Sequence, residues 1–350
     1  MEIVAMKKSL LVLSVAMLAA GSAAAQSSVT LFGVVDASAR GVKNGSAGSQ
    51  KQLASGGLST GRLGFRGTED LGGGFSAAFH LEAGISPDTG TTDAKFFGRR
   101  STVSLVGRLG EIRLGRDYNP TAVNTFNEPF GLVGVGSIGN FTYAPQAALG
   151  SGATTVLRND NSIGYFLPGN MGGIYGSAMV AAGEGVAGNK YRGARFGYGA
   201  GPIDVAAGYG KTETAANAAD FDQYNVKALY TVGFAKLNFL YDVKKWSPRA
   251  QKMAMFGVTV PMGTSELRAA YAVNNRSGGP AGSGFAEADD SKLMSVGYVN
   301  NLSARTALYA TLGRITNDAA ARSSVSNTTP AGMLGGETST GYEFGLSHRF

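Results

Sequence analysis

The 350-residue chain has two histidines, His80 and His348, and no cysteine. A Ser-His-Asp site would have to use His80, and no serine near it carries a nucleophile elbow. No metal-ligand spacing occurs. Gly72-Gly73-Gly74 is turn chemistry, not a phosphate cradle, because no helix follows. The residues therefore argue against an enzyme and imply no cofactor and no metal. His80, with Glu82 on the same parity, reads as a hydrogen-bonding group of a wall or turn. Arginine is the residue type placed with a pattern. Arg62 and Arg66 bracket Leu63-Gly64-Phe65, Arg99 and Arg100 are adjacent, and Arg158 opens a stretch running to Leu167. Guanidinium groups lining a water-filled passage bias it toward anions. Alternatively they pair with loop carboxylates and stiffen the wall, and both can hold at once.

The elements that position these arginines are alternating strands. From Tyr342 to Phe350 every second residue is apolar or aromatic apart from His348, and the chain ends on an aromatic ring. Phe75–Gly84, Ala235–Lys244 and Glu266–Val273 alternate in the same way over about ten residues, the length a tilted strand needs to cross a bilayer. Seven tight-turn signals punctuate the chain: 70–74, 107–110, 168–173, 199–202, 232–233, 261–263 and 300–303. With one longer loop in each interval they give sixteen strands, an even count that suits an all-β, antiparallel transmembrane barrel. A soluble sandwich with one polar face is the alternative. Export, the turn rhythm and the terminal Phe350 favour the barrel.

Parity then assigns faces, because a charge on the lipid side costs about 2–4 kcal/mol at mid-membrane. Leu63 and Phe65 turn Arg62 and Arg66 inward. Val29, Leu31, Gly33 and Val35 turn Asp36 inward. Ile163, Tyr165 and Leu167 turn Arg158 inward. Val103 and Leu105 favour Arg100 over Arg99. Arg116 shares the parity of Ile112 and Leu114, which puts it near the interface or in a subunit contact.

Lys7 and Lys8, the apolar run Leu10–Ala20 and Ala23-Ala24-Ala25 form an export signal over 1–25, cleaved before Gln26, with Met6 as an alternative start. Residues 26–350 then form one barrel domain carrying 29 basic against 23 acidic residues. A basic excess can mean nucleic acid, but an exported chain does not meet it as its normal partner. The segment 119–155 is long, glycine-rich and poor in charge, so it is expected to be functional and to fold into the lumen as a constriction loop. There it would set Glu128 opposite the arginines. Glu287, Asp289 and Asp290 read as a solvated acidic run, and 317–340 as a flexible surface loop.

Ser28–Asp36, Arg62–Gly72, Leu114–Tyr118, Asn159–Tyr165 and the terminal Phe350 together resemble the general-diffusion porins of Gram-negative outer membranes, in particular the trimeric β-proteobacterial type. The resemblance spans the mature chain. It implies a sixteen-stranded barrel, a homotrimer, an inward-folded third loop, and a wall of arginines facing acidic loop residues. By motif those arginines are Arg62, Arg158 and Arg99, against the parity reading of Arg100; Ser101-Thr102 departs from the family's Ala-aromatic context. Glu128 and Asp117 are the acidic candidates. The implied partners are outer-membrane lipid and lipopolysaccharide, a barrel assembly machinery for which Phe350 is the membrane-insertion signal, and small hydrophilic solutes and ions. Three functions stay open: an anion-favouring diffusion pore, a channel selective for phosphate or organic anions, and an adhesive or structural barrel.

Overall fold

The computed structural model describes residues 28–215, 219–326 and 330–350; the expected export signal lies outside them. The strands in chain order are β1 (Ser28–Asn44), β2 (Ser49–Ser55), β3 (Arg62–Gly72), β4 (Phe75–Ser86), β5 (Thr91–Thr92), β6 (Arg100–Gly107), β7 (Gly110–Tyr118), β8 (Arg158–Phe166), β9 (Ile174–Ala181), β10 (Lys190–Ala200), β11 (Ile203–Glu213), β12 (Phe221–Val232), β13 (Ala235–Trp246), β14 (Arg249–Met262), β15 (Ser265–Ser277), β16 (Ser291–Asn301), β17 (Thr306–Asn317) and β18 (Ser339–Arg349). Sixteen of these are staves of one closed antiparallel barrel; β2 and β5 are short accessory strands. The seven turns marked in the sequence each join two consecutive staves.

Closure is made at the chain ends. β18 pairs with β1 from Val34↔Arg349 to Asn44↔Ser339. One step further, Gly33 N–H donates to the Phe350 carbonyl at 3.1 Å and Phe350 N–H donates back to Gly33 at 3.2 Å. The Phe350 ring lies over Gly33, where an added Cβ would come within 2.4 Å of it. On its other edge β1 changes partner. Residues 28–34 pair with β3 and residues 37–43 with β2. The intervening segment 56–61 turns inward at that change.

The alternation expresses a fold turned inside out. Val29, Val103, Ile163, Phe256, Leu312 and Phe344 are all more than half exposed, on the outward parity of their strands. An apolar surface of this extent is stable only against lipid. The inward parity is largely polar, with buried apolar clusters among the described residues, one of them extensive. There Leu240, Met253, Met255, Leu293 and Ile315 meet Val135, Ile138 and Phe141 of the long segment after β7 in a buried apolar cluster. No helix among the described residues is long and apolar enough to cross a membrane, so the strands do the crossing.

Candidate functional site

Three arginines meet on the inner wall around one carboxylate and one phenol. Arg99 precedes β6, with its N–H on the Glu82 carbonyl at 3.1 Å. Its Nε donates to Glu82 Oε1 at 2.5 Å and its Nη2 to the Tyr118 hydroxyl at 3.2 Å. Arg158 Nε donates to the Arg99 carbonyl at 2.9 Å. The Arg158 guanidinium lies 4.1 Å over the Tyr118 ring and also donates to its hydroxyl. Arg62, at the start of β3, shares the field of Arg99, Glu82 and Tyr118; its one side-chain hydrogen bond among the described residues is a long one, 3.4 Å to Ser59 Oγ. Glu82 also bonds His80 at 3.1 Å. Three guanidinium groups thus face a single carboxylate.

Arg99 and Arg100 both turn inward, so the sequence's choice between them dissolves. Arg100 does so by strand parity, 3.2 Å from Thr102 Oγ1 and 3.7 Å from Asp117. Arg99 does so because it stands outside the strand. The parity argument for Arg158 loses its footing. The β7–β8 register shifts between Gly115 and Asp117, and Asn161 sits at φ 52° opposite this break. The alternation marked by Ile163 and Tyr165 does not carry back across such a bulge. Arg158 reaches the cluster through Tyr118 and the Arg99 carbonyl. Arg116 bonds the Gly98 carbonyl and Asp160, each at 2.6 Å.

Three acidic expectations need correction. Glu128 does not oppose the arginines. It is buried inside its own segment, accepting from Phe130 N–H at 3.1 Å, Ser137 Oγ at 2.7 Å and Leu132 N–H. Burial pushes its carboxyl above the usual carboxylate range. Glu128 is thus the acceptor for two backbone N–H groups and one hydroxyl of its own segment. Asp36 faces inward but is fully buried, held by the N–H groups of Gly57, Leu58 and Ser59 and by Tyr309 Oη at 2.6 Å. It fastens the 56–61 turn and is not a wetted wall charge. Asp117 is buried against Arg113 Nη1 at 2.6 Å. Arg113, overlooked in the sequence, is also forked onto Glu111. Arg66 keeps its place on the inner wall, 5.3 Å over the Phe32 ring.

The segment 119–155 lies on the inner face of β11–β18. Asn119 caps the short helix α1 (Pro120–Thr125) by accepting from Ala122 N–H at 2.7 Å. The helix is then fastened to the wall by Asn124–Asn225 at 2.9 Å and by Asn225 Nδ2 to the Thr121 carbonyl at 2.9 Å. Asn127 Nδ2 donates to the carbonyls of Ala228 and Phe239 at 3.0 Å. Buried Lys244 donates to the Thr142 carbonyl, and Val135 N–H to Glu343 at 3.2 Å. Glu343 is itself paired with Arg40 at 2.8 Å. Apart from Glu128 the segment carries no charged residue. The sequence hinted at this seat: Leu240, Met253 and Met255 are apolar residues on the inward parity.

A closed barrel with a lipid-compatible exterior, a polar interior and an internal segment beside an arginine cluster defines a channel through an outer membrane. The sequence model of Gram-negative porins matches residues 12–320, and the chain belongs to that family. It is 38% identical over 366 residues to outer membrane porin protein 32 of Delftia acidovorans, covering 99% of this chain and all of that one. An outer membrane porin of Bordetella pertussis is 31% identical over 193 residues, 49% of this chain and 47% of that one. Among solved structures, an anion-selective porin from Comamonas acidovorans superposes with a TM-score of 0.79 at 33% identity, over 93% of this chain and 100% of that one. OmpT of Vibrio cholerae shares the fold at a TM-score of 0.65 and 13% identity, over 93% of this chain and 98% of that one. The protein resides in the Gram-negative outer membrane.

Proposed function

We propose that this porin is a non-enzymatic, homotrimeric channel that favours anions at a constriction formed by segment 119–155 and the Arg62–Arg99–Arg158 wall. One observation carries the reading. The wall has three guanidinium groups to one carboxylate, and the segment beside it spends its only charge, Glu128, internally. No acidic charge of that segment then opposes the wall, and the arginine excess makes the field at the narrow point positive. The anion selectivity of the Comamonas porin, 33% identical to this chain, supports the same sign. The test is the zero-current potential of the refolded protein in a planar bilayer under a KCl gradient. A chloride-selective sign is expected, and a potassium-selective sign would overturn the proposal.

A second reading, selectivity for phosphate or an organic anion, is favoured by an inner-wall recess of about 260 Å³ lined by Arg66, Arg100, His80, Thr30 and Thr102, whose one carboxylate, Glu111, is paired with Arg113. Saturable block of chloride current by one solute separates it from simple diffusion. A barrel with no conductance at all would instead be adhesive or structural.

A further inference from the structure

The internal segment offers one side chain to the water of the lumen. Between residues 119 and 144 only Phe126 and Gly131 are exposed, and Gly131 has no side chain. Phe126 is 40% exposed, whereas Phe130 and Phe141 of the same segment are buried. A lone exposed ring on an outer surface is ordinary. Here it is what the segment shows to the passage, and a wet benzene ring does nothing for a small hydrophilic ion. The ring is also held in place. Phe126 ends α1, with its N–H on the Val123 carbonyl at 3.3 Å. Asn124 and Asn127 flank it, and both are tied to the wall: Asn124 to Asn225 of β12, Asn127 to the carbonyls of Ala228 on β12 and Phe239 on β13.

Phe126 stands beside the arginine cluster. Its ring meets Tyr118 edge to face, with centroids 4.9 Å apart and planes at 85°. The Arg158 guanidinium lies 4.1 Å over that same Tyr118 ring, and Arg99 donates to its hydroxyl at 3.2 Å. One tyrosine thus links an exposed ring to two guanidinium groups, and Arg62, with its single long bond, shares their field. Aromatic rings pair at centroid distances of about 4.5–7 Å, and a guanidinium holds a carboxylate at about 2.7–2.9 Å. A flat ring bearing a carboxylate meets both conditions at once.

We infer that Phe126 is a specificity-determining residue of the channel, selecting aromatic carboxylates over aliphatic ones of equal charge and similar bulk. It pairs with the solute's ring while the guanidinium groups hold the head. The inference rests on the positive wall of the proposed function for the head, and on Phe126 alone for the ring. The test is block of chloride conductance in bilayers carrying the intact porin, titrated with benzoate and with cyclohexanecarboxylate. One aromatic pair changes a binding constant by roughly twofold to tenfold, so benzoate should half-block at a concentration about threefold or more below its saturated counterpart. Phe126→Leu keeps an apolar side chain without the ring, and the two solutes should then block alike; Phe126→Tyr should keep the difference. Heat-resistant gel mobility verifies a closed barrel in each variant. The zero-current potential in KCl, read on the same channels, should be unchanged in Phe126→Leu, because no charge is altered. Equal block by the two solutes in the unaltered chain, or an undiminished benzoate preference in Phe126→Leu, would overturn the role of the ring. A benzoate preference that depends on Phe126 in channels lacking chloride preference would uphold the ring and overturn the wall reading alone.

Discussion

Replacing Arg62 by Ala is the cleanest probe of the positive wall. Arg62 has the weakest anchoring of the three arginines, a single 3.4 Å bond to Ser59, so its loss removes charge with little disturbance of its neighbours. A unit charge about 7 Å from a passing ion contributes about 0.6 kcal/mol at the permittivity of water. Screening over a Debye length of about 10 Å at 0.1 M salt roughly halves this. The remaining ~0.3 kcal/mol acts with opposite sign on chloride and potassium, so the permeability ratio falls about threefold. From a starting ratio near ten, the zero-current potential across a tenfold KCl gradient moves by roughly 20 mV, against about 59 mV for perfect selectivity. Glu82→Gln removes the one opposing carboxylate and should move the potential the other way. The assay is the reversal potential of many reconstituted channels, with single-channel conductance as the control for an open pore. If Arg62→Ala leaves the potential unchanged, or Glu82→Gln weakens chloride preference, the charge balance of this wall does not set selectivity.

Arg40→Ala should destabilise the barrel by about 3–5 kcal/mol, because it leaves Glu343 buried without its ion-pair partner; a lowered unfolding temperature on heated gel mobility checks this. Gly33→Val should slow closure and cut refolding yield, since its side chain would collide with the Phe350 ring; yields equal to the unaltered chain would refute the seam geometry. The partly exposed Glu337 carboxylate accepts from Leu334 N–H at 2.7 Å and from Ser46 N–H at 2.9 Å, and these bonds hold it below the usual carboxylate range. Its stabilisation is present above the unfolded carboxylate pKa and is lost as pH falls through the lowered value. Proteolytic nicking near 330–338 should therefore be flat at neutral pH and rise in acid, and Glu337→Gln should abolish that dependence.

The barrel was legible because each of its rules is local. Period-two alternation and glycine-rich turns set strand existence, face and count without reference to distant residues. The arginines of β3 were legible for the same reason. Arg158 was named as well, but there the motif was the sound guide and parity was not, because a bulge at Asn161 resets the face and one added residue leaves no mark in an alternating pattern. Glu128 was misplaced for a different reason. Sequence places a carboxylate in a loop, but only the folded turn decides whether its own N–H groups consume it. The seat of the internal segment was written in Leu240, Met253 and Met255, yet three apolar residues on a polar face gain meaning only once a partner is known to lie on them.

The buried polar contacts at the seam give the barrel a means of checking its own assembly. Asp36 on β1 and Tyr309 on β17 are 273 residues apart, and Arg40 stands directly opposite Glu343. None of these partners can meet until the first and last strands come together. A slip of one residue at that step would turn Asp36 and Arg40 out toward lipid, at about 2–4 kcal/mol for each misplaced basic group at mid-membrane. It would also leave the 57–59 turn and Val135 without their acceptors. A mis-registered ring would thus lose its inner fastenings and expose charge at once, so the correct join is the one alignment in which every buried ion at the seam is answered.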